Sequence, residues 1–235
     1  MDASQKQAAL ATIARRISSC TACPLSQGRT NAVPGEGNAD ADIMFVGEGP
    51  GFYEDRQGRP FVGAAGKFLD ELLAANGMDR TSVYITNVVK CRPPNNRDPQ
   101  ADEMDACKQH LDAQIETIEP KVIVTLGRHS MQRYFPGESI GRVHGKPRRK
   151  GDLIVVPMYH PAAALHQASL RRVIEADFAR LPEFVRKQLN NDSKPAPART
   201  PVPAHLRAAA PDGIMDENEP TAAHAEPAAE QMRLL

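Results

Sequence analysis

The sequence lacks the long hydrophobic segments by which membrane and secreted proteins are recognised. No run of 18 apolar residues occurs among its 235 residues, so a transmembrane helix is excluded on length. No apolar signal sequence precedes segment 5–17, which mixes Ala with Arg and Gln and predicts an amphipathic helix. We therefore expect a monomeric cytoplasmic protein without membrane contact, whose cysteines do not form disulfides.

Three common signatures of catalytic or cofactor sites are also absent. The sequence has no GxxxxGK[ST] loop for a nucleoside triphosphate, and its first glycine-rich segment does not match GxGxxG. No serine lies in a GxSxG elbow. These absences give no support to phosphate-loop hydrolysis, to a Rossmann-type cofactor or to serine-hydrolase chemistry.

The last 48 residues differ in composition from the rest of the chain. Segment 188–235 contains seven Pro and eleven Ala but no aromatic residue, and seven acidic side chains face four basic ones. Such a segment has little apolar surface to bury, so we predict a disordered acidic tail at 188–235 after a globular domain at 1–187. The last five residues, 231–235, weakly resemble a docking peptide for a sliding clamp or another repair partner.

Four short apolar segments rich in β-branched residues predict buried strands. They lie at 42–47, 83–87, 121–126 and 153–157. Between them, segments 67–76 and 101–118 place apolar side chains on one helical stripe. Strands that alternate with helices predict an α/β fold, a three-layer α/β/α sandwich with a central, mainly parallel four-stranded sheet.

Each predicted strand leads into a polar or glycine-rich residue, at the edge where ligands bind in parallel sheets. The four strands are followed by Gly47-Glu48-Gly49-Pro50-Gly51, Asn87, Gly127-Arg128 and His160-Pro161. Taken singly, these features are ordinary: a tight turn, a strand cap, a loop histidine. Because the carboxyl ends of parallel strands share one edge, we expect them to converge on one site.

The four cysteines are spaced like metal ligands. Cys20 and Cys23 form one close pair, whereas Cys91 and Cys107 are separated by 15 residues. Four thiolates suit either a 4Fe-4S cluster or zinc, but a zinc ribbon would show two close pairs, so the cluster is favoured. Four unrelated buried thiols are the alternative.

A short basic segment suggests contact with nucleic acid. Six of the nine residues at 142–150 are basic: Arg142, His144, Lys146, Arg148, Arg149 and Lys150. Two interpretations remain open, a face that follows phosphates or a solvated hairpin.

Five motifs follow one another between residues 47 and 162. They are the glycine loop 47–51, Glu54-Asp55, GRPFVG at 58–63, ITNVVKCRPP at 85–94 and His160-Pro161-Ala162. In this combination they resemble the family 4 uracil-DNA glycosylases, iron-sulfur enzymes of the uracil-DNA glycosylase superfamily. The resemblance implies an enzyme that acts on uracil-containing DNA, single- or double-stranded, releases free uracil and leaves an abasic site in DNA repair.

The resemblance also implies roles for three residues in the pocket. The nucleotide must leave the duplex before C1′ is accessible, and Phe61 would then stack on the uracil. A core position is the alternative for Phe61, but the flanking Gly58, Pro60 and Gly63 favour a loop. Asn87 would accept a hydrogen bond from N3–H and donate one to O4, which cytosine cannot match. His160 would donate to O2 as negative charge develops on the departing base.

Other implied roles concern water, specificity and DNA. Glu48 is the candidate for positioning or activating water, with Asn96 as a second polar residue; a structural role for Glu48 stays open. The Gly49 backbone would contact uracil or phosphate, and Glu54 would exclude the thymine methyl. Leu165 would enter the gap left by the flipped base. His166-Gln167-Ala168 replaces the family's usual Arg-Asn-Pro, which leaves the strand preference open.

By resemblance, Cys20, Cys23, Cys91 and Cys107 would hold a structural 4Fe-4S cluster that fixes a DNA-contacting loop. Two other functions stay open. One is a uracil-DNA binder that traps its product with little turnover, and the other is a noncatalytic iron-sulfur or zinc module of a replication or repair assembly. The first is disfavoured because the chain keeps Cys91-Arg92-Pro93-Pro94 and shows no inserted basic loop. The second leaves the glycine loop, Asn87 and His160 without a shared purpose.

Overall fold

The computed structural model describes residues 1–151 and 153–192. Within these ranges the strands form one six-stranded sheet in the order β1-β3-β2-β4-β6-β5. The strands are β1 (Glu36–Gly37), β2 (Ile43–Gly47), β3 (Tyr84–Asn87), β4 (Val122–Leu126), β5 (Arg148–Lys150) and β6 (Leu153–Met158). The central four, β3, β2, β4 and β6, are parallel, and β1 and β5 pair antiparallel at the two edges.

The helices of the described ranges surround this sheet. They are α1 (Ala3–Ser18), α2 (Leu25–Gly28), α3 (Phe52–Gln57), α4 (Ala64–Ala75), α5 (Ala101–Ile118), α6 (Arg128–Gln132), α7 (Ile140–Val143), α8 (Ala162–His166), α9 (Ala168–Ala179) and α10 (Leu181–Asp192), with a 3₁₀ turn at Pro94–Asn96. Of these helices, none is long and apolar enough to cross a bilayer.

Alternating side chains of the central strands separate two apolar layers. In β2, Ile43 and Phe45 pack with α4 and α9 on one face. Met44 and Val46 pack with α1 and α5 on the other. A period of two residues in the strand therefore builds both layers, and the predicted three-layer α/β/α architecture is confirmed.

The sheet departs from the prediction in its number of strands. The four predicted strands form the parallel centre, but the sheet has six because β1 and β5 were not predicted. β1 has only two residues, and β5 is the exposed Arg-Arg-Lys of the basic segment. Short or charged edge strands give no apolar signal because their side chains are not buried on both faces.

Part of the basic segment 142–150 forms one strand of the β5–β6 hairpin, and two of its basic residues pair with acidic residues of the same protein. Arg148 pairs with Glu138, and His144 lies 2.7 Å from Asp177. Arg148 and Lys150 also lie over the ring of Phe135. These contacts favour the solvated hairpin over the phosphate-tracking face.

The predicted domain boundary at 187/188 falls inside α10, which continues to Asp192. The rest of the predicted tail, 193–235, lies outside the described residues. Its disorder, and the docking peptide at 231–235, therefore stay predictions.

Candidate active site

A pocket of about 530 Å³ opens where the parallel strands end. Its walls include seven of the eight positions predicted for substrate and catalysis: Glu48, Gly49, Glu54, Phe61, Asn87, Asn96 and His160. The eighth, Leu165, is 51% exposed on α8, beside His166 of the pocket wall. The structure thus brings together groups that are more than 110 residues apart in sequence.

Phe61 lies in the pocket wall in a backbone conformation that few residues adopt. Its φ is +51°, a left-handed value that costs a bulky residue free energy. The close approach of Gly66 allows it, since a Cβ there would lie 1.8 Å from the Phe61 carbonyl oxygen. Arg80 donates hydrogen bonds to the carbonyls of Phe61, at 3.1 Å, and Pro60. These contacts fix the backbone of the loop that carries the ring.

Asn87 ends β3 and is 99% buried, and its side-chain oxygen lacks a hydrogen-bond partner among the described residues. A Cβ at Gly47 would lie 2.4 Å from this oxygen, so glycine is needed beside it. Buried polar groups nearly always have partners, so an unpaired one in a pocket wall points to a ligand.

A buried lysine supports Asn87 from below. The Lys90 ammonium donates to Asn87 O at 2.7 Å, Thr86 Oγ1 at 2.6 Å and Gln114 Oε1 at 2.7 Å, so all three of its protons are used. Burial lowers the pKa of Lys90 to about 7. This network fixes the end of β3 against α5.

His160 follows β6 and stacks on Phe61, with ring centroids 5.5 Å apart and planes 26° apart. Its Nδ1 accepts a hydrogen bond from the Ala162 backbone N–H at 3.1 Å. Desolvation lowers the pKa of His160 to about 4, so the ring is neutral near pH 7. The remaining proton is then on Nε2, which makes this atom a donor.

Glu48 lies within a small charged cluster with His129, Asp98 and Arg128. His129 Nε2 is 3.7 Å from Glu48 Oε2 and 3.4 Å from Asp98 Oδ1. The Arg128 guanidinium pairs with Asp98 and donates to His129 Nε2 at 3.1 Å. Burial raises the pKa of Glu48, and the nearby Asp98 adds to this, against His129 and Arg128. Glu48, Asp98 and His129 are residue types that bind metal ions, and their ligand atoms lie within 4.8 Å of one another. The positive charge beside these groups comes from the Arg128 guanidinium.

The other predicted polar residues are held by specific contacts. Glu54 Oε1 accepts from the backbone N–H groups of Val62 and Gly63, at 2.9 and 2.8 Å, where α4 begins. Asn96 has a φ of +54°, and its Oδ1 accepts from Arg92 Nε at 2.7 Å.

The four cysteines line one small cavity between the N-terminal arm, the end of β3 and α5. All four are free thiols, and Cys91 Sγ accepts from Arg29 Nη1 at 3.1 Å. Burial raises the pKa of Cys91, and that of Cys107 to about 11, so this pocket holds thiolates only with a compensating positive charge. In the described part of the chain, no three of these sulfurs lie within 4.8 Å of one another. Sulfurs around a single tetrahedral zinc would be about 3.8 Å apart.

Comparison with known proteins identifies the family. The model of the uracil DNA glycosylase superfamily matches residues 34–184. The chain is 54% identical to the type-4 uracil-DNA glycosylase of Sulfurisphaera tokodaii, over 74% of this chain and 84% of that protein. It is 50% identical to the type-4 enzyme of Saccharolobus solfataricus (73% and 84% covered) and 49% identical to that of Thermotoga maritima (75% and 94%).

The chain belongs to the type-4 uracil-DNA glycosylases. This membership confirms the predicted family, its fold and the class of enzyme. The match to the superfamily ends at residue 184, before the segment predicted as a tail.

Several residues of this type-4 site were not predicted. Arg80, Lys90 and His129 each contact a predicted residue, yet none was identified from the sequence. Lys90 lies inside the recognised segment 85–94, which was the only signal for it. Arg80 and His129 come from other parts of the chain, and their contacts arise only in the folded protein.

Proposed function

We propose that this chain flips uracil out of DNA and hydrolyses its N-glycosidic bond, releasing uracil and leaving an abasic site. The observation that carries the proposal is the unpaired oxygen of the buried Asn87, in the same pocket as Phe61 and His160. Flipping is required because C1′ is inaccessible in stacked DNA.

Asn87 would select uracil by its hydrogen-bond pattern. Its unpaired Oδ1 accepts from N3–H and its amide nitrogen donates to O4, while the base lies against Phe61. Cytosine presents the opposite groups at both positions, which leaves buried polar atoms unpaired. Sites that read such a pattern reject the wrong substrate by roughly 10⁴-fold.

His160 would stabilise the departing base. As the bond from C1′ to N1 breaks, negative charge develops on N1 and O2 of uracil. A neutral imidazole with its proton on Nε2 can donate to O2, and the hydrogen bond at Nδ1 keeps the ring oriented. One such donor typically contributes about 10² to 10³ in rate.

Glu48 would hold the water that attacks C1′. Its carboxylate lines the pocket and lies near His129 and the Arg128 guanidinium. Burial raises the pKa of Glu48, and the Arg128 guanidinium opposes this by favouring the ionised form, which can take a proton from water. Asn96, anchored by Arg92, offers a second polar contact.

Three further positions complete the substrate contacts. Gly49 places backbone in the pocket wall, where it would contact uracil or phosphate. Glu54 would lie near C5 of the base and exclude a thymine methyl, and its fixed carboxylate suits a steric role. Leu165 would wedge the gap in a duplex, because its apolar side chain is exposed at the pocket mouth.

We also propose that the four cysteines hold a 4Fe-4S cluster. The convergence of the four thiols on one cavity, with only one close pair along the sequence, supports a polynuclear cluster over a single zinc. When bound, the cluster supplies a structural link rather than redox chemistry. Arg29 donates to Cys91 Sγ, as expected of a residue that stabilises thiolate charge.

The test is alkaline strand cleavage of a labelled oligonucleotide with a single uracil, under excess substrate. We expect multiple turnovers by the wild type. The rate of uracil release should fall by about 10² or more in both Asn87→Ala and His160→Ala. Gln109→Ala, which removes an exposed amide on α5, is the control and should keep full activity. Binding without turnover would move the protein to the trapping class. The absence of both binding and cleavage would refute the proposal.

A further inference from the structure

Two neighbouring aromatic side chains stand exposed beside the pocket. Phe52 is 44% exposed and Tyr53 is 59% exposed, and their rings meet edge to face with centroids 5.4 Å apart. They directly follow Pro50 and Gly51, which belong to the pocket wall. Neither ring has a role in the core or in the chemistry proposed above.

Two guanidinium groups flank the same ring. Arg92 Cζ lies 5.2 Å and Arg56 Cζ 5.8 Å from the centroid of Phe52. Within residues 1–151 and 153–192, neither arginine forms an ion pair with a carboxylate, whereas Arg171 on α9 pairs with both Glu71 and Glu175. Arg92 also reaches the pocket through its hydrogen bond to Asn96.

This combination fits an unpaired nucleotide better than a protein surface. Exposed aromatic rings beside unneutralised cations bind single-stranded nucleic acid, because bases stack on the rings while the cations attract phosphates. A uracil held in the pocket places the adjacent nucleotides of its own strand at the rim, where Phe52 and Tyr53 lie. In an intact duplex the faces of those bases are covered by their neighbours.

We propose that Phe52 and Tyr53 form a stacking platform for an unpaired base next to the uracil, with Arg56 and Arg92 contacting the flanking phosphates. The proposal rests on the glycosylase function above and adds to it a contact with a neighbouring base, made where that base is unpaired, as in single-stranded or locally melted DNA. A base that is stacked on this platform holds the strand while the uracil occupies the pocket.

The test removes single bases from the strand. A single-stranded oligonucleotide with one uracil is compared with two versions in which the 5′ or the 3′ neighbour is an abasic tetrahydrofuran. For the wild type, we expect KM for uracil release to rise on one of the two abasic strands. Phe52→Ala and Tyr53→Ala should raise KM on the normal strand by about tenfold and lose this discrimination, with kcat little changed.

Conservative variants and a charge variant separate stacking from other effects. Phe52→Tyr and Tyr53→Phe keep a ring and should retain the wild-type KM. Arg92→Gln should weaken binding on all three strands equally and reduce its salt dependence. A KM that is unchanged in both alanine variants, or that rises equally on every strand, overturns the platform. Unchanged affinity for DNA in both alanine variants also overturns it.

A binding measurement separates this proposal from the proposed function. Fluorescence anisotropy with a uracil-free single strand needs no catalysis. If the wild type binds this strand, Phe52→Ala binds it more weakly, and the wild type releases no uracil from the uracil-containing strand, the platform stands and the glycosylase proposal fails. If uracil release is normal while the variants match the wild type in KM and affinity, the platform fails and the glycosylase proposal stands.

Discussion

At the residue scale, base selection in the proposed pocket depends on one acceptor and one donor on Asn87. Asn87→Asp keeps the size of the side chain but replaces the donor to O4 with an acceptor. We expect kcat/KM for uracil to fall by roughly 10² or more, since two acceptors then face each other. The ratio of kcat/KM for cytosine to kcat/KM for uracil should rise, because the N4 amino group of cytosine can donate to the new carboxylate. Steady-state assays on oligonucleotides with one uracil or one cytosine measure both, and an unchanged ratio would remove Asn87 from base selection.

The low pKa of His160 makes a second prediction at this scale. Its folded-state value of about 4 lies below the ordinary 6.5, so between these values the unfolded chain binds the extra proton. The free energy of unfolding should therefore fall as pH decreases from about 6.5 to 4, by at most about 3 kcal/mol from this residue. His160→Gln should remove that part of the slope. Urea unfolding across this range tests it, and equal slopes in both proteins would contradict it.

Some of these site residues can be predicted from the sequence and others cannot. Asn87 and His160 could be predicted because one ends and the other follows an apolar strand, and each belongs to a recognised motif. Arg80 contacts Phe61 across 19 residues, and His129 meets Asp98 across 31, so neither contact follows from local periodicity. Lys90 gives no sign of burial, because lysine is rarely buried without partners and its partners come from β3 and α5.

At the element scale, the loop before α4 depends on the close approach of Gly66 to Phe61. Gly66→Ala would place its Cβ 1.8 Å from the Phe61 carbonyl oxygen, so the loop must move. Because a shift of about 1 Å in a positioned group can cost 10²-fold in rate, we expect a loss of that order in uracil release. Gly28→Ala in α2 is the control, since nothing lies within 4 Å of the new methyl group. Wild-type kcat/KM in Gly66→Ala would show that the position of Phe61 does not limit the reaction.

Helix α5 and the edge strands show what was predictable among the elements. The range 101–118 was predicted correctly because its apolar stripe runs over five turns. Its start is reinforced by the Gln100–Glu103 capping box, with Arg97 held on Glu103 at 2.6 and 2.9 Å. Strand β5 was missed because its three residues are exposed cations and, among the described residues, it pairs with β6 alone.

At the scale of the whole molecule, the four cysteines come from three segments that are distant in sequence and meet at one cavity. Cys20 and Cys23 lie in the arm after α1, Cys91 lies just after β3, and Cys107 lies on α5. We expect Cys107→Ser to lose bound iron and the visible absorbance of the cluster, to lower the melting temperature and to raise KM for DNA through a loosened 91–107 segment. Ser26→Ala, which removes a neighbouring hydroxyl from the same cavity wall, is the control. Intact iron content, stability and KM in Cys107→Ser would refute a structural cluster.

The order of the sheet also determines when the molecule can first act during folding. Asn87 ends β3, and Glu48, His129 and His160 follow β2, β4 and β6. These strands lie side by side in the order β3-β2-β4-β6 but occur along the chain in the order β2, β3, β4, β6. The pocket is therefore incomplete until β6 has paired with β4, and such long-range parallel pairing is a slow step. A nascent chain that has not yet emerged beyond β6 would be unable to cut a glycosidic bond. The rate at which uracil release recovers after dilution from denaturant should therefore report the rate at which β6 pairs with β4 and completes the sheet.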